Sequence, residues 1–206
     1  MTNTPSRRPD KKNARGTKKK IVSTAWKLFY RQGYDNTTVD DIVYESGTSK
    51  GSFYHYFSGK DALLSTLSYL FDEKYEELTE TLTPDMSCMD KLLYLNRELF
   101  RLIEDTIAID LLARLLSSQL VTRSEKHLLD HNRTYYKLLR SIIQEGQQSG
   151  ELTPAVPVTE IVKAYALFER ALMYDWCLCD GEYSLSQYSA RMLPMLLTGY
   201  AAVSGN

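Results

Sequence analysis

The stretch from Thr37 to Lys60 constrains the chain more than any other. It reads as two short helices joined by a tight turn. Thr38 is placed to cap the first helix, because its hydroxyl can accept from a free N–H two or three residues on. Asp40 and Asp41 fall in the first turn, where the helix dipole favours negative charge. Val39, Ile42 and Val43 give an i, i+3, i+4 apolar face to a helix too short to stand alone. Gly47 follows as the turn residue, able to take the positive φ that a helix end often needs. Ser49 can then cap a second helix over Lys50–Phe57. That spacing is helix-turn-helix, with small and basic groups where a recognition helix meets a DNA major groove.

The run Gly33-Tyr34, Thr37-Thr38-Val39, Ile42, Gly47, Ser49 through Phe57 and Lys60 resembles the DNA-binding domain of TetR-family transcriptional regulators. The resemblance covers about the first third of the chain, and the Tyr54-x-Tyr56-Phe57-x-x-Lys60 ending is its most specific part. Ser46 and Thr48 depart from it, standing where the family often has alanine and valine. The resemblance implies an all-α chain: an N-terminal three-helix helix-turn-helix domain followed by a C-terminal helical bundle for ligand binding and dimerisation.

Charge supports a division of this kind. The net charge is -1, yet residues 1–60 hold twelve Lys and Arg against five Asp and Glu. A basic head on an acidic body fits nucleic-acid contact confined to one end, and a solvated tail is the bland alternative. The expected domains are a disordered basic arm at 1–14, the DNA-binding domain at 15–76 and an effector-binding and dimerisation domain at 77–206. Arg7, Arg8, Lys11, Lys12 and Arg15 either reach phosphate or a minor groove or form an inert tail. No apolar run is long enough to span a membrane, and the basic N-terminus lacks the apolar stretch of a secretory signal. Three cysteines suit reduced thiols in a cytoplasmic protein better than a disulfide framework.

In chain order, Ile21, Ala25, Leu28 and Phe29 predict a first helix over Thr17–Gln32. After the motif, one long helix is expected over Lys60–Leu82, starting in the head and finishing in the body. Further helices are expected over Ser87–Glu104, Ile107–Leu120, Ser124–Ser149, Val158–Cys179 and Leu185–Val203. Gly150 and the prolines at 154 and 157 separate two of them. Strand signals are essentially absent.

The DNA-binding residues expected are Thr38, Ser49, Lys50, Gly51, Ser52, Tyr54, His55, Tyr56 and Lys60. Lys50, Gly51 and Ser52 open the second helix, and glycine lets backbone approach closely. By resemblance, Tyr54, Lys60 and Thr38 hold phosphates while His55 and Tyr56 reach bases or backbone. Phe53 and Phe57 read as core. For an effector pocket the candidates are Tyr94, Phe100, Arg114, Tyr135, Phe168, Tyr174 and Trp176, with core packing the alternative for each aromatic. Glu169 and Arg170 also interrupt an otherwise apolar helix. For a dimer interface the resemblance points to the last two helices, with Tyr165, Leu172, Tyr188, Met192 and Leu196.

Cys177-Leu178-Cys179 lacks zinc-finger spacing, and His127 with His131, i and i+4 on an expected helix, lack a third ligand. No metal, cofactor or catalytic arrangement is expected. The function implied is a ligand-responsive repressor, not an enzyme, that binds a palindromic operator as a homodimer and leaves it on binding a small-molecule effector. Its rivals are a small-molecule-binding or enzymatic body with a vestigial head, and a transcriptional activator.

Overall fold

A computed structural model describes the backbone of residues 11–121 and 126–202, with side chains from residue 16 onward. Its described residues are overwhelmingly helical, and their only strand-like pairing is one bridge between Leu152 and Ala201. The chain divides into two compact units between Thr66 and Leu67.

In the first unit, α1 spans Lys11–Gln32, α2 Val39–Ser46, α3 Lys50–Tyr56 and α4 Asp61–Leu64. Helix α1 starts earlier than expected, inside the stretch assigned to the arm; residues 1–10 lie outside those described. Its stripe of Ile21, Ala25, Leu28 and Phe29 is buried with Tyr34, Ile42, Phe53, Phe57, Leu63 and Leu64 to make the core of the head. Trp26 is half-buried, and its indole N–H donates to Thr66 Oγ1 at 2.9 Å.

The single helix expected over Lys60–Leu82 is instead two, because the chain turns at Ser65 and Thr66 before α5 (Leu67–Thr81) begins. Ser65 Oγ donates to the Ala62 carbonyl and Thr66 Oγ1 to that of Leu63, while the Thr66 N–H closes a three-residue bond onto Leu63. Hydroxyls that bond back to the preceding turn compete with the i→i−4 ladder. The seam therefore needs neither proline nor glycine.

In the second unit, α6 (Cys88–Thr106), α7 (Ile109–Val121), α8 (Thr134–Ser149), α9 (Val158–Leu178) and α10 (Leu185–Thr198) follow α5. Helix α6 packs on α5, α8 and α10, and α9 on α7, α8 and α10. Gly146 makes the α6–α8 approach possible, since a Cβ there would sit 2.5 Å from Cys88 Sγ. Helix α8 starts at Thr134, ten residues later than expected. Before it, His127–Leu129 forms a short 3-10 turn, and Asp130 Oδ1 accepts from the Asn132 N–H in a local turn that stops a helix forming. Residues 122–125 lie outside those described. His127 and His131 thus share no helix, contrary to the expected i, i+4 pair. Helix α10 stops at Thr198 rather than Val203, because the chain beyond it pairs with 151–153: the Thr153 N–H donates to Tyr200 O and the Ala202 N–H to Glu151 O, both at 2.9 Å. No described helix is long and apolar enough to cross a membrane.

Candidate DNA-binding surface and effector cavity

Helices α2 and α3 are fixed by their caps. Thr38 Oγ1 accepts from the Asp41 N–H at 3.1 Å, and Asp41 Oδ2 accepts from the Thr38 N–H at 2.8 Å, a reciprocal capping box. The Thr38 hydroxyl also donates to Asp41 Oδ2 at 2.7 Å, and this bond together with the one from the Thr38 N–H holds the Asp41 carboxyl below its ordinary range. Gly47 takes φ 58°, ending α2 in the left-handed conformation expected. The two departures from the family pattern form one unit, because the buried Ser46 hydroxyl meets that of Thr48 at 2.8 Å. Ser49 then caps α3 by accepting from the Ser52 N–H at 3.0 Å.

Phe53 and Phe57 turn inward, as expected. Lys50, Gly51, Tyr54 and His55 stand exposed on one side of α3, with Ser49 exposed beside them. A Cβ on Gly51 would meet nothing nearer than Ser49 Oγ at 3.8 Å, so packing within the head leaves room for a side chain there. Ser52 and Tyr56 are half-buried, and the Ser52 hydroxyl is shared with that of Ser49 at 3.0 Å.

Two basic residues have partners that periodicity did not reveal. Lys50 Nζ lies 2.7 Å from Asp40 Oδ1 on α2, and this contact raises the Lys50 ammonium above its ordinary value. Lys60 Nζ donates to the Tyr34 carbonyl at 2.6 Å and sits over the Tyr34 ring, while the Tyr34 hydroxyl bonds Asp61. Lys60 thus joins the start of α4 to the end of α1 in addition to any phosphate contact.

The body holds a cavity of about 30 Å³. Its walls come from α5 (Phe71, Tyr75), α6 (Leu99), α8 (Tyr135) and α9 (Ala166, Glu169, Arg170, Met173), together with Leu128 and Arg133. Of the seven pocket candidates only Tyr135 lines it. Phe100 is wholly buried core, and Trp176 is buried with its N–H on the Tyr183 carbonyl. Tyr94 bonds the Thr81 hydroxyl, Tyr174 is exposed, and Arg114 and Phe168 are half-buried away from the cavity.

Glu169 is the polar centre of this region. Its Oε2 accepts from the Tyr135 hydroxyl at 2.6 Å and its Oε1 from Asn96 Nδ2 at 2.9 Å, while Asn96 Oδ1 accepts from Ser189 on α10. Burial raises the Glu169 carboxyl above its ordinary value, against the opposing pull of those bonds. Arg133 pairs with Asp72 at 2.8 Å, and Arg170 donates to the Tyr136 hydroxyl at 3.2 Å. The sequence signal for this centre was the interruption of an apolar helix by Glu169; nothing comparable marked Tyr75.

Of the expected interface residues, Tyr165 belongs to the core, with its hydroxyl on the Leu92 carbonyl, and Leu172 is buried within the unit. Tyr188, Met192 and Leu196 are half-buried. On these two helices the large apolar side chains left uncovered are Leu167, Tyr174 and Leu178, spaced along one stripe of α9, and Met195 on α10. Among the described residues no cluster of His, Cys, Asp or Glu could hold a metal ion.

Residues 21–67 match the family model described as bacterial regulatory proteins, tetR family. An HTH-type transcriptional regulator of Bacillus subtilis, YuxN, is 46% identical over 61 residues, 29% of this chain but only 21% of that protein. The fatty acid metabolism regulator protein of the same organism is 25% identical over 185 residues, covering 87% of this chain and 93% of the relative. Among solved structures, Thermus thermophilus FadR, a TetR-family repressor in complex with lauroyl-CoA, superposes with a TM-score of 0.76 at 21% identity, over 91% of this chain and 96% of that one. That likeness is one of fold.

Proposed function

Since the head of this chain belongs to the tetR family of bacterial regulatory proteins, we propose that the protein is a cytoplasmic, ligand-responsive repressor that binds a near-palindromic operator as a homodimer. The observation that carries this reading is the exposed side of α3. Lys50, Gly51, Tyr54 and His55 stand clear of the core, on a helix whose turn and caps fix its orientation. Ser49, Ser52, Tyr56, Thr38 and Lys60 flank it as phosphate or backbone contacts. With one long cation on the recognition helix, discrimination per half-site is modest, and dimerisation supplies much of the total. Two heads would then read major-groove faces about 34–36 Å apart. The uncovered stripe of α9 with Met195 offers the apolar surface for pairing.

For the effector, the relatives suggest a long-chain acyl-CoA thioester, and the apolar cavity lining of Phe71, Leu99, Leu128 and Met173 suits a hydrocarbon chain. A cavity of about 30 Å³ holds little more than one water-sized group, whereas ligand sites usually need several hundred. Effector binding must therefore reshape the body. A ligand that favours the reshaped state over the DNA-binding one weakens DNA binding, and DNA weakens the ligand's binding by the same factor.

The test is a mobility shift on palindromic DNA from beside the protein's own coding region. Lys50→Ala with Tyr54→Ala should abolish the shift, and Gly51→Ala should weaken it although alanine favours helix. A shift that survives the double substitution overturns the DNA assignment. Footprinting of the same region separates a repressor, which protects a short symmetric site over the promoter, from an activator bound upstream of it.

A further inference from the structure

The Tyr75 hydroxyl is buried at the cavity and has no hydrogen-bond partner among the described residues. An unpaired buried hydroxyl carries the desolvation cost of that group without return. The Tyr75 ring packs against that of Tyr135 at 5.0 Å between centroids, and the Tyr135 hydroxyl is already committed to Glu169. Glu169 accepts one bond on each carboxyl oxygen, and the Tyr165 hydroxyl, though it donates to the Leu92 carbonyl, also lies against the carboxyl, which retains capacity for one further donor. Beside its apolar walls and the guanidinium groups of Arg133 and Arg170, which are engaged by Asp72 and the Tyr136 hydroxyl, the cavity thus has one idle donor and one acceptor of spare capacity.

Most apolar ligands would leave both groups idle. A ligand carbonyl would accept from Tyr75 but offer nothing to Glu169, and an ammonium would donate to Glu169 but accept nothing from Tyr75. A hydroxyl does both at once, donating to Glu169 and accepting from Tyr75. We infer that the cavity selects an effector bearing a hydroxyl group on an otherwise apolar body, and that Tyr75 and Glu169 are the residues that read it. The cavity's present volume matches this, since about 30 Å³ accommodates a group of hydroxyl size before any wall has moved. The inference rests on reading the body as an effector site, and it specifies the chemistry of that site.

Calorimetric titration of the full chain tests it with four probes: lauroyl-CoA, 3-hydroxylauroyl-CoA, 12-hydroxylauroyl-CoA and 1-decanol. One hydroxylated thioester should bind about tenfold tighter than lauroyl-CoA, the worth of one well-made hydrogen bond. Tyr75→Phe should cut that preference to the share of the Glu169 bond and leave lauroyl-CoA binding unchanged. It should also melt at or above the wild type, because it removes an unpaired hydroxyl; a large fall in Tm would show the hydroxyl to be paired already and overturn the inference. Equal binding of all three thioesters overturns it too, while leaving the acyl-thioester reading intact. If 1-decanol alone binds, and does so through Tyr75, the thioester reading fails and the hydroxyl inference stands. If no probe binds, both fail, and the cavity holds a resident water only.

Discussion

The Trp26 indole N–H donates to the Thr66 hydroxyl across 2.9 Å, and Thr66 is the last residue of the first unit. A side chain on α1 thereby fixes the point at which the helical ladder between α4 and α5 is interrupted. Trp26→Phe keeps the ring and deletes the donor, and should lower the stability of the head by about 1 kcal/mol. Urea unfolding followed by circular dichroism reads it. An unchanged midpoint would show that the Thr66–Leu63 bond holds the turn alone.

Thr38→Ala should cost about 1 kcal/mol through loss of the cap, with Thr38→Ser retaining most of it. The effect has a pH signature. Asp41 titrates below its unfolded value because Thr38 bonds the carboxylate, so the stability it adds is present above the unfolded value, near 3.8, and disappears as pH falls through the folded one. The gap between the melting curves of wild type and Thr38→Ala should therefore narrow below that pH, to the part owed to the Thr38 hydroxyl accepting from the Asp41 N–H. A gap that stays constant down to strongly acid pH would exclude the Asp41 contribution.

Asp40 lies against Lys50 on a surface proposed to face DNA. Asp40→Asn frees the ammonium and removes a negative charge, so operator affinity should rise several-fold at about 0.1 M salt, with a steeper dependence on salt. Fluorescence anisotropy across a salt series measures both. Weaker binding at every salt concentration would mean that Asp40 positions Lys50 for its contact instead of competing for it.

Glu169 predicts the opposite trend to Asp41. Burial raises its carboxyl, so the folded chain keeps a proton to higher pH than the unfolded one. Stability should then fall as pH rises from the unfolded value of 4.5 to the raised folded value, and level off above it. Glu169→Gln should flatten that fall, the two proteins differing least near pH 4.5 and diverging above it. Thermal unfolding followed by fluorescence in a Trp26→Phe background, which leaves Trp176 as the sole reporter, isolates the body. Parallel profiles would mean that the carboxyl stays ionised in the fold.

What could be read in the sequence was local. Thr38, Gly47 and Ser49 announce their roles because a cap or a left-handed turn depends on a few adjacent residues, and the structure keeps each of them there. Helix existence in the body was equally plain. Partners separated along the chain were not: the Asp40–Lys50 contact joins two helices, and periodicity assigns faces without assigning neighbours. The break at Ser65–Thr66 escaped because hydroxyl back-bonding leaves no mark comparable to proline. Phe100 and Tyr75 both sit on inward faces, yet one is core and the other lines the cavity, a difference made by what packs opposite each. Tyr165 and Leu172 went astray in the same way: apolar spacing marks a buried stripe, but not whether its own chain or a second copy buries it.

The bonds linking Ser189, Asn96, Glu169 and Tyr135 join one residue each from α10, α6, α9 and α8. Apolar side chains tolerate a slide of one turn between helices, because one leucine substitutes for another. This polar chain does not. Any misthreaded packing of the four helices strands a carboxyl in the interior without its donors, at a cost of several kcal/mol. These four residues, of which Glu169 and Tyr135 also line the cavity, therefore act as a checksum on the assembly of the bundle.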